Sequence, residues 1–523
     1  MAAVVTVPTN KLPKIQPPKL TYEDFDYNEL LVYGGIDTFV TYELFKELFP
    51  KVAEQPTYLV PAPGGRISRM AAPSVLQEHL QVKQNALMFM IELKVNGLLY
   101  DQELHAVYEE DMKARLASLQ GRIFTAVGEE FNLDSAQECE RILYTKMGLT
   151  TTILTKGGGL STSGDALKEL FKTYKLGWLK DMAEYGDISG IYGNFIKDYV
   201  SKYVKKDGRL HPNYNLHGTS SHRISGDRPN LLNIPVPKHG YNIRRLYKVP
   251  EGHAFLTFDF SSCEVKVLAA LCKDKKMLES ILQGLDFHSY TAGLMYNVPY
   301  EELVEAVDNE DHPNHKLYKG YRKNAKSVTF GLLYGSSVGG VAMNIGCSNE
   351  DAQKIIDAYF NVYPDIKKFI DDAHDKAKLN YWVFSEFKQR KMEFGLMPMY
   401  ERSAVYNASL RNAQNNLIQG PASTLGLVAF AKFSEEVQRI GGRVVCTVYD
   451  SLELEIPIEN LAEAIEIGYQ CLDDFPLQKF DWLDFKIGCD CEVGYNWGQL
   501  RKATRGVSQV ECERLLELST HEH

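Results

Sequence analysis

The 523-residue chain is 44% hydrophobic and 24% charged, which gives room and composition for several subdomains around a substantial buried core. No apolar run approaches the roughly 20 residues that cross a bilayer, and the opening MAAVVTVPTNKLPKIQPPKL lacks the apolar core of a secretory signal. No membrane role is expected, and the expected location is cytoplasmic. The net charge of −10 argues against a protein that coats nucleic acid indiscriminately, while leaving room for a confined basic groove.

In chain order, the Pro-rich opening reads as irregular, and Asp37 to Lys51 (DTFVTYELFKELFPK) as an amphipathic helix with Asp37 as N-cap. The stretch VPAPGGR then interrupts, and a boundary is expected near residue 80. From Ser74 to about Glu130 helical periodicity dominates, broken at Asn96-Gly97; a glycine loop at 157–159 precedes a helix from near Ser163, completing an all-helical arm. HAFLTFDF from His253 reads as a buried strand and SSCEVKVLAALCKD as a helix packed on it. RVVCTV and LELEI, joined at Tyr449-Asp450-Ser451, read as strand, turn and strand. A long, mostly helical insertion lies between these β units, so the fold class expected is α/β (α+β) with attached helical lobes.

Positive charge is uneven. Lys197, Lys202, Lys205, Lys206 and Arg209 crowd one stretch, and Arg322, Lys323 and Lys326 another; each alone also fits a solvated face. The nine cysteines include no C-x-x-C pair. Cys489 and Cys491 share one face of an apparent strand without a second ligand pair, so reduced thiols are expected.

Two aspartates stand out for chemistry. Asp259 ends the apolar strand and Asp450 sits at the hairpin tip, where rigid backbones can hold uncompensated carboxylates for a hard cation such as magnesium. Taken alone, they also fit a helix cap and an ordinary turn residue.

Several stretches in a fixed order resemble the family A DNA polymerases of the bacterial polymerase I type, over roughly residues 85 to 500. DFSSCEVKVLA from Asp259 resembles the first palm motif, RKNAKSVTFGLLYG from Arg322 the fingers motif, and VYDS from Val448 the final palm motif. HRISGDRPNLLNIP, DFHSYTA, RNAQNNLIQG and GYNW add supporting matches. The resemblance implies a right-hand fold: an exonuclease-like remnant at 1–80, thumb at 81–210, palm at 211–280 and 401–500, fingers at 281–400, and a tail at 501–523. It implies addition of deoxynucleotides to a primer 3′-OH on template DNA in replication. Two Mg2+ ions would be held by Asp259, the Phe260 carbonyl and Asp450.

On a helix, steps of four drift by about 40°, so Arg322, Lys326, Phe330 and Tyr334 share one face with cations at one end and aromatics at the other. An arginine and a lysine one turn apart can hold the phosphates of a deoxynucleoside triphosphate while Phe330 stacks on it. The resemblance adds Tyr334 at the templating position, with Gly335 permitting close approach there. It also makes Glu264 the group that crowds a ribose 2′-hydroxyl and His288 a phosphate ligand. Arg411, Asn415 and Gln419 recur at steps of four and, with Arg223, suit minor-groove acceptors of the primer-template duplex. Tyr449 borders that DNA, and Lys202, Lys205 and Lys206, with Tyr199 and Tyr203, are expected to grip the duplex backbone from the thumb.

The chain departs from the family pattern in several places. Ser451 replaces a glutamate, Tyr449 a histidine, Phe260 a tyrosine, His222 a glycine and Leu232 a glutamine, and YWVFSEFKQRK lacks the family's glycines. Tyr33 to Asp37 resembles the third motif of a 3′→5′ exonuclease whose other motifs are missing, although Asp37 as a plain N-cap fits too. Proofreading is therefore not expected of this chain alone, and a separate exonuclease subunit or a processivity factor is a candidate partner. A phage-like origin suits such shortening. The competing readings are a single-subunit RNA polymerase and a catalytically weakened DNA-binding subunit.

Overall fold

The structure, a computed structural model, describes residues 84–520 except 156, 217, 220, 388, 389, 393 and 398–402, together with 57–62, 66–71 and residues 43, 44 and 46. The chain divides into two compact units, Met1–Gln77 and Glu78–His523. In the first, β1 (Thr57–Ala62) pairs antiparallel with β2 (Arg66–Ala71). The stretch VPAPGGR, expected as a plain interruption, thus contains the end of one strand and the start of the next. Glu43, Leu44 and Lys46 are helical, whereas the exonuclease-like Tyr33 to Asp37 lies outside the described residues.

The second unit opens with α1 (Gln84–Asn96). It stops at Gly97, whose φ of +60° and tight approach to the Leu210 carbonyl, 2.6 Å from an added Cβ, exclude any side chain. Next come α2 (Gln102–Val127), capped by the Asp101 carboxylate on the Leu104 N–H, then α3 (Gly164–Tyr174), capped by Ser163, and α4 (Gly177–Ile191). The ion pairs Arg115–Glu184 and Arg122–Asp181 run α2 and α4 in opposite directions, and Ile123, Leu170, Leu179 and Met182 fill the core of this helical arm.

β3 (His253–Phe260) leads into α5 (Cys263–Cys272). The helical lobe that follows contains α6 (Phe287–Tyr296) and α7 (His315–Leu333), joined through Ala292, Leu303, Tyr318 and Ala325. The 34-residue α8 (Ala404–Val437) returns to the sheet, buried through most of its length. It precedes β4 (Arg443–Val448), β5 (Ser451–Pro457), β6 (Cys489–Asn496), β7 (Gln499–Ala503) and α9 (Gln509–Thr520). The sheet is antiparallel in the order β4-β5-β3-β6-β7. The tail expected to begin at Arg501 instead completes the sheet, and α9 packs on β6 and β7 with Cys512 and Leu516 buried.

Strand periodicity divides β3 between two jobs. Ala254, Leu256, Phe258 and Phe260 face the helices, where Phe258 meets Phe433 edge-on at 5.5 Å and Phe260 stacks on Phe430 at 5.7 Å. The alternate residues run from buried Phe255, stacked on Trp497, through Thr257 to exposed Asp259. The core thereby fixes the register that aims one carboxylate out of the sheet's open end.

Candidate active site

A two-residue turn, Tyr449-Asp450, joins β4 to β5, since Val448 pairs directly with Ser451. Tyr449 takes φ +57°, a left-handed conformation unusual for a bulky residue and the kind of strain that collects at functional turns. Ser451 pairs with Asp259, and the Phe260 N–H donates to the Asp450 carbonyl at 3.0 Å. The two aspartates therefore lie one register step apart on neighbouring strands, both exposed. On the other side of β3, Asp490 pairs with Asp259 and accepts from the Ser261 hydroxyl at 2.9 Å.

This crowding has an electrostatic signature. Burial, then Asp450, Asp490 and Glu492, push the Asp259 carboxyl up to about 7, while Arg244 opposes them; burial also raises Asp450. Glu453 lies one step deeper on the same face of β5. It is fully buried, accepts from the Ser451 hydroxyl at 2.5 Å, and leaves its other oxygen without a partner; burial pushes it up to about 8. Among the described residues no three His, Cys, Asp or Glu side chains form a ready cation cage. Two adjacent exposed carboxylates with excess negative charge around them fit magnesium, which takes one or two protein carboxylates and completes its shell with phosphate and water. The side chain of Phe260 is buried, so only its backbone is available to a cation.

α7 approaches this end of the sheet. Arg322 is gripped by Asp286 through two hydrogen bonds of 2.8 and 3.0 Å, which hold the Asp286 carboxyl down to about 2 despite burial. Lys326 lies 6.0 Å from the Phe330 ring, and Phe330 stacks with Tyr334 at 6.1 Å. His288 is buried 5.6 Å from Phe330 with Nδ1 unpartnered, and burial pushes it down to about 4, so near neutral pH it offers a neutral ring N–H.

The Tyr334 hydroxyl donates to Glu264 Oε2 at 2.8 Å, the Arg223 guanidinium donates to Glu264 Oε1, and Arg223 stands 5.2 Å over the Tyr449 ring. A chain of contacts thus runs from the end of α7 through α5 to the turn carrying Asp450. Glu264 does not pair with its neighbour Lys266, which donates instead to the Ile487 carbonyl. Gly335, φ +68°, serves close approach of a different kind from the one expected. A Cβ there would fall 2.8 Å from that of Arg411, so it lets α8 pass against α7.

Other expectations change in detail. Arg411, Asn415 and Gln419 follow one another along α8, but only Arg411 is exposed; Gln419 is buried and accepts from Asn415 at 3.2 Å. Leu232, in place of the family's glutamine, is buried in the core and offers no polar contact. The basic stretch before residue 210 is mixed: Arg209 is part of the structure, while its lysines lie at the surface. Tyr199 is 3% exposed and packs on Tyr100, Lys202 pairs with Asp198 at 3.5 Å, and Arg209 clamps buried Glu455 at 2.8 and 2.9 Å. Lys197, Lys205 and Lys206 are exposed without an ion pair among the described residues. Sequence reading missed the roles of Asp286, Asp490 and Glu453. The spacing of Asp286 and Ser289 as a helix cap marks the first; nothing local marks the other two, whose meaning depends on cross-strand pairing.

The DNA polymerase family A model matches residues 102–499. DNA polymerase I of Chloroflexus aurantiacus is 28% identical over 443 residues, covering 83% of this chain and 45% of that protein. The corresponding enzyme of Pseudomonas aeruginosa is 27% identical over 486 residues, 92% of this chain and 49% of its own length. The chain therefore spans about half the length of these relatives. The POL domain of Pol1 from M. smegmatis, solved in complex with DNA primer-template and dNTP, superposes with a TM-score of 0.72 at 23% identity, over 81% of this chain and 72% of that one. The match over most of its length shows that the chain belongs to DNA polymerase family A.

Proposed function

We propose that this chain is a template-directed DNA polymerase, extending a primer 3′ end with deoxynucleotides. The observation that carries the reading is the pairing of Ser451 with Asp259, which brings Asp259 and Asp450 together at the open end of the sheet below α7. When bound, a pair of magnesium ions supplies charge neutralisation and activates the attacking oxygen in phosphoryl transfer. Asp259 and Asp450 would hold them, with Ser451 contributing no charge. Arg322 and Lys326 orient the triphosphate, His288 donates a hydrogen bond to it, and Phe330 stacks on the nucleotide. Glu264, fixed by Arg223 and Tyr334, fills the space a ribose 2′-hydroxyl needs, which favours deoxynucleotides over the RNA polymerase alternative. Tyr334 leaves Glu264 when a template base pairs. Arg223, Arg411 and Asn415 face the primer-template duplex, with Tyr449 beside the primer end.

The test is magnesium-dependent extension of a labelled primer with deoxynucleotides or ribonucleotides. Asp259→Ala and Asp450→Ala should each cut extension by about 10³-fold or more while the primer-template still binds. Undiminished synthesis by either variant sinks the assignment. A partner exonuclease subunit or processivity factor remains part of this proposal, read out by 3′-end removal or product length after mixing with candidate proteins.

A further inference from the structure

α7 carries more positive charge than the triphosphate requires, and the excess is arranged. At about 100° per residue, Lys316, Lys319, Arg322, Lys323 and Lys326 all fall within roughly one third of the circumference, in line with Phe330 and Tyr334. Arg322 and Lys326 span one turn; the lysines carry the same stripe about two turns further from the aromatics, some 15 Å in all. The stripe lines a cleft of about 770 Å³ whose one acidic lining residue is Glu310.

Several exposed lysines on other helices pair with carboxylates one turn away, as in Lys113–Glu109 at 2.7 Å, Lys354–Asp351 at 3.2 Å and Lys367–Asp371 at 2.6 Å, whereas single ones such as Lys276, Lys368 and Lys376 stand unpaired on helices that also carry acidic residues. The 19 residues of α7 include no Asp or Glu at all. Among the described residues Lys316, Lys319, Lys323 and Lys326 form no ion pair, and Lys319 meets only His315, at 3.4 Å. In a chain of net charge −10, such a row of uncompensated cations creates a local positive potential that draws a small, highly charged anion.

The geometry points to a pyrophosphate-binding cleft formed by Lys316, Lys319 and Lys323, continuous with the triphosphate-binding pair. This rests on the polymerase reading, in which cleavage between the α and β phosphorus atoms leaves pyrophosphate beside Arg322 and Lys326. The lysines draw the product along the stripe and away from the primer end.

The test uses inorganic pyrophosphate as probe, with the full chain and its K316A/K319A/K323A variant, whose changes are confined to exposed side chains. Product inhibition of primer extension is measured together with calorimetric titration of pyrophosphate in the absence of DNA. The expected result is an inhibition constant raised about tenfold or more. Turnover at saturating deoxynucleotide should stay within about twofold, and K316R/K319R/K323R should restore inhibition. An unchanged inhibition constant overturns the proposal. So does an unchanged constant accompanied by a flatter salt dependence of primer-template binding, which would assign the stripe to the nucleic-acid backbone. Failure of the wild-type chain to extend any primer, with pyrophosphate binding still lost in the triple variant, would sink the polymerase reading and leave the cleft standing.

Discussion

Two stretches of this chain look equally basic as text, one around residues 197–209 and one around 322–326, and the fold uses them in opposite ways. In the first, Lys202 is matched by Asp198 and Arg209 is buried against Glu455. In the second, Arg322 alone has a carboxylate partner and the cations around it stand free in a cleft. The number of positive charges was therefore uninformative, and so was pairing alone, since Lys197, Lys205 and Lys206 are also exposed without an ion pair; what differs is that the unpaired cations of the second stretch line a cleft. A paired cation holds the protein together, and an unpaired one in a concave site is available to a ligand.

This contrast can be broken by mutation. Arg209→Ala leaves Glu455 buried with only Arg443, at 3.4 Å, as a cationic neighbour, so stability should fall by about 3–5 kcal/mol in denaturant unfolding while duplex affinity at matched folded fraction is unchanged. Weaker duplex binding by fully folded Arg209→Ala would show that this residue contacts DNA as well. Arg322→Ala should behave inversely, lowering kcat/KM for deoxynucleotides by about 10²-fold with little change in melting, because its partner Asp286 is partly exposed.

A smaller effect comes from the carboxylate cluster. Asp259 ionises near 7 in the folded, cation-free protein against about 3.8 when unfolded, so between these values the folded chain holds more protons. Stability from this group should accordingly fall as pH rises from about 4 to 7. Melting in chelator should show Asp259→Asn gaining more on the parent at about pH 8 than at about pH 5; an equal difference at both would contradict the crowding described for this site. Smallest of all, Lys205→Ala with Lys206→Ala should change duplex affinity by no more than about twofold in a filter-binding assay. A larger loss would restore a gripping role to that turn.

The β units were legible because HAFLTFDF and RVVCTV are short apolar runs bounded by turn residues, and the helical arm because its caps, Asp101 and Ser163, are local signals. The face shared by Arg322, Lys326, Phe330 and Tyr334 followed from helical spacing alone. What stayed hidden was everything decided by distant pairing. Arg209 finds its partner 246 residues away, and Asp490 acquires its place only because β6 adds to the edge of β3. The burial of Gln419 and Leu232 was equally invisible, since a polar step-of-four pattern and a family position say nothing about what packs on them. The strand at the start of the tail was not legible because β7 is short, and its strand character comes from the neighbour it joins.

The tight connection between β4 and β5 also bears on how this protein can drift. With only Tyr449 and Asp450 between paired residues, inserting or deleting a single residue there must either change the turn type or slip the register of β5, and a slip would exchange the buried face of Leu452 and Leu454 with the buried face of Glu453 and Glu455. Chemical identity on either side of Asp450 is free to vary, as the tyrosine and serine found there illustrate, whereas the length of the corner is constrained. Natural variants of the chain should therefore differ in spelling at the hairpin tip and almost never in residue count.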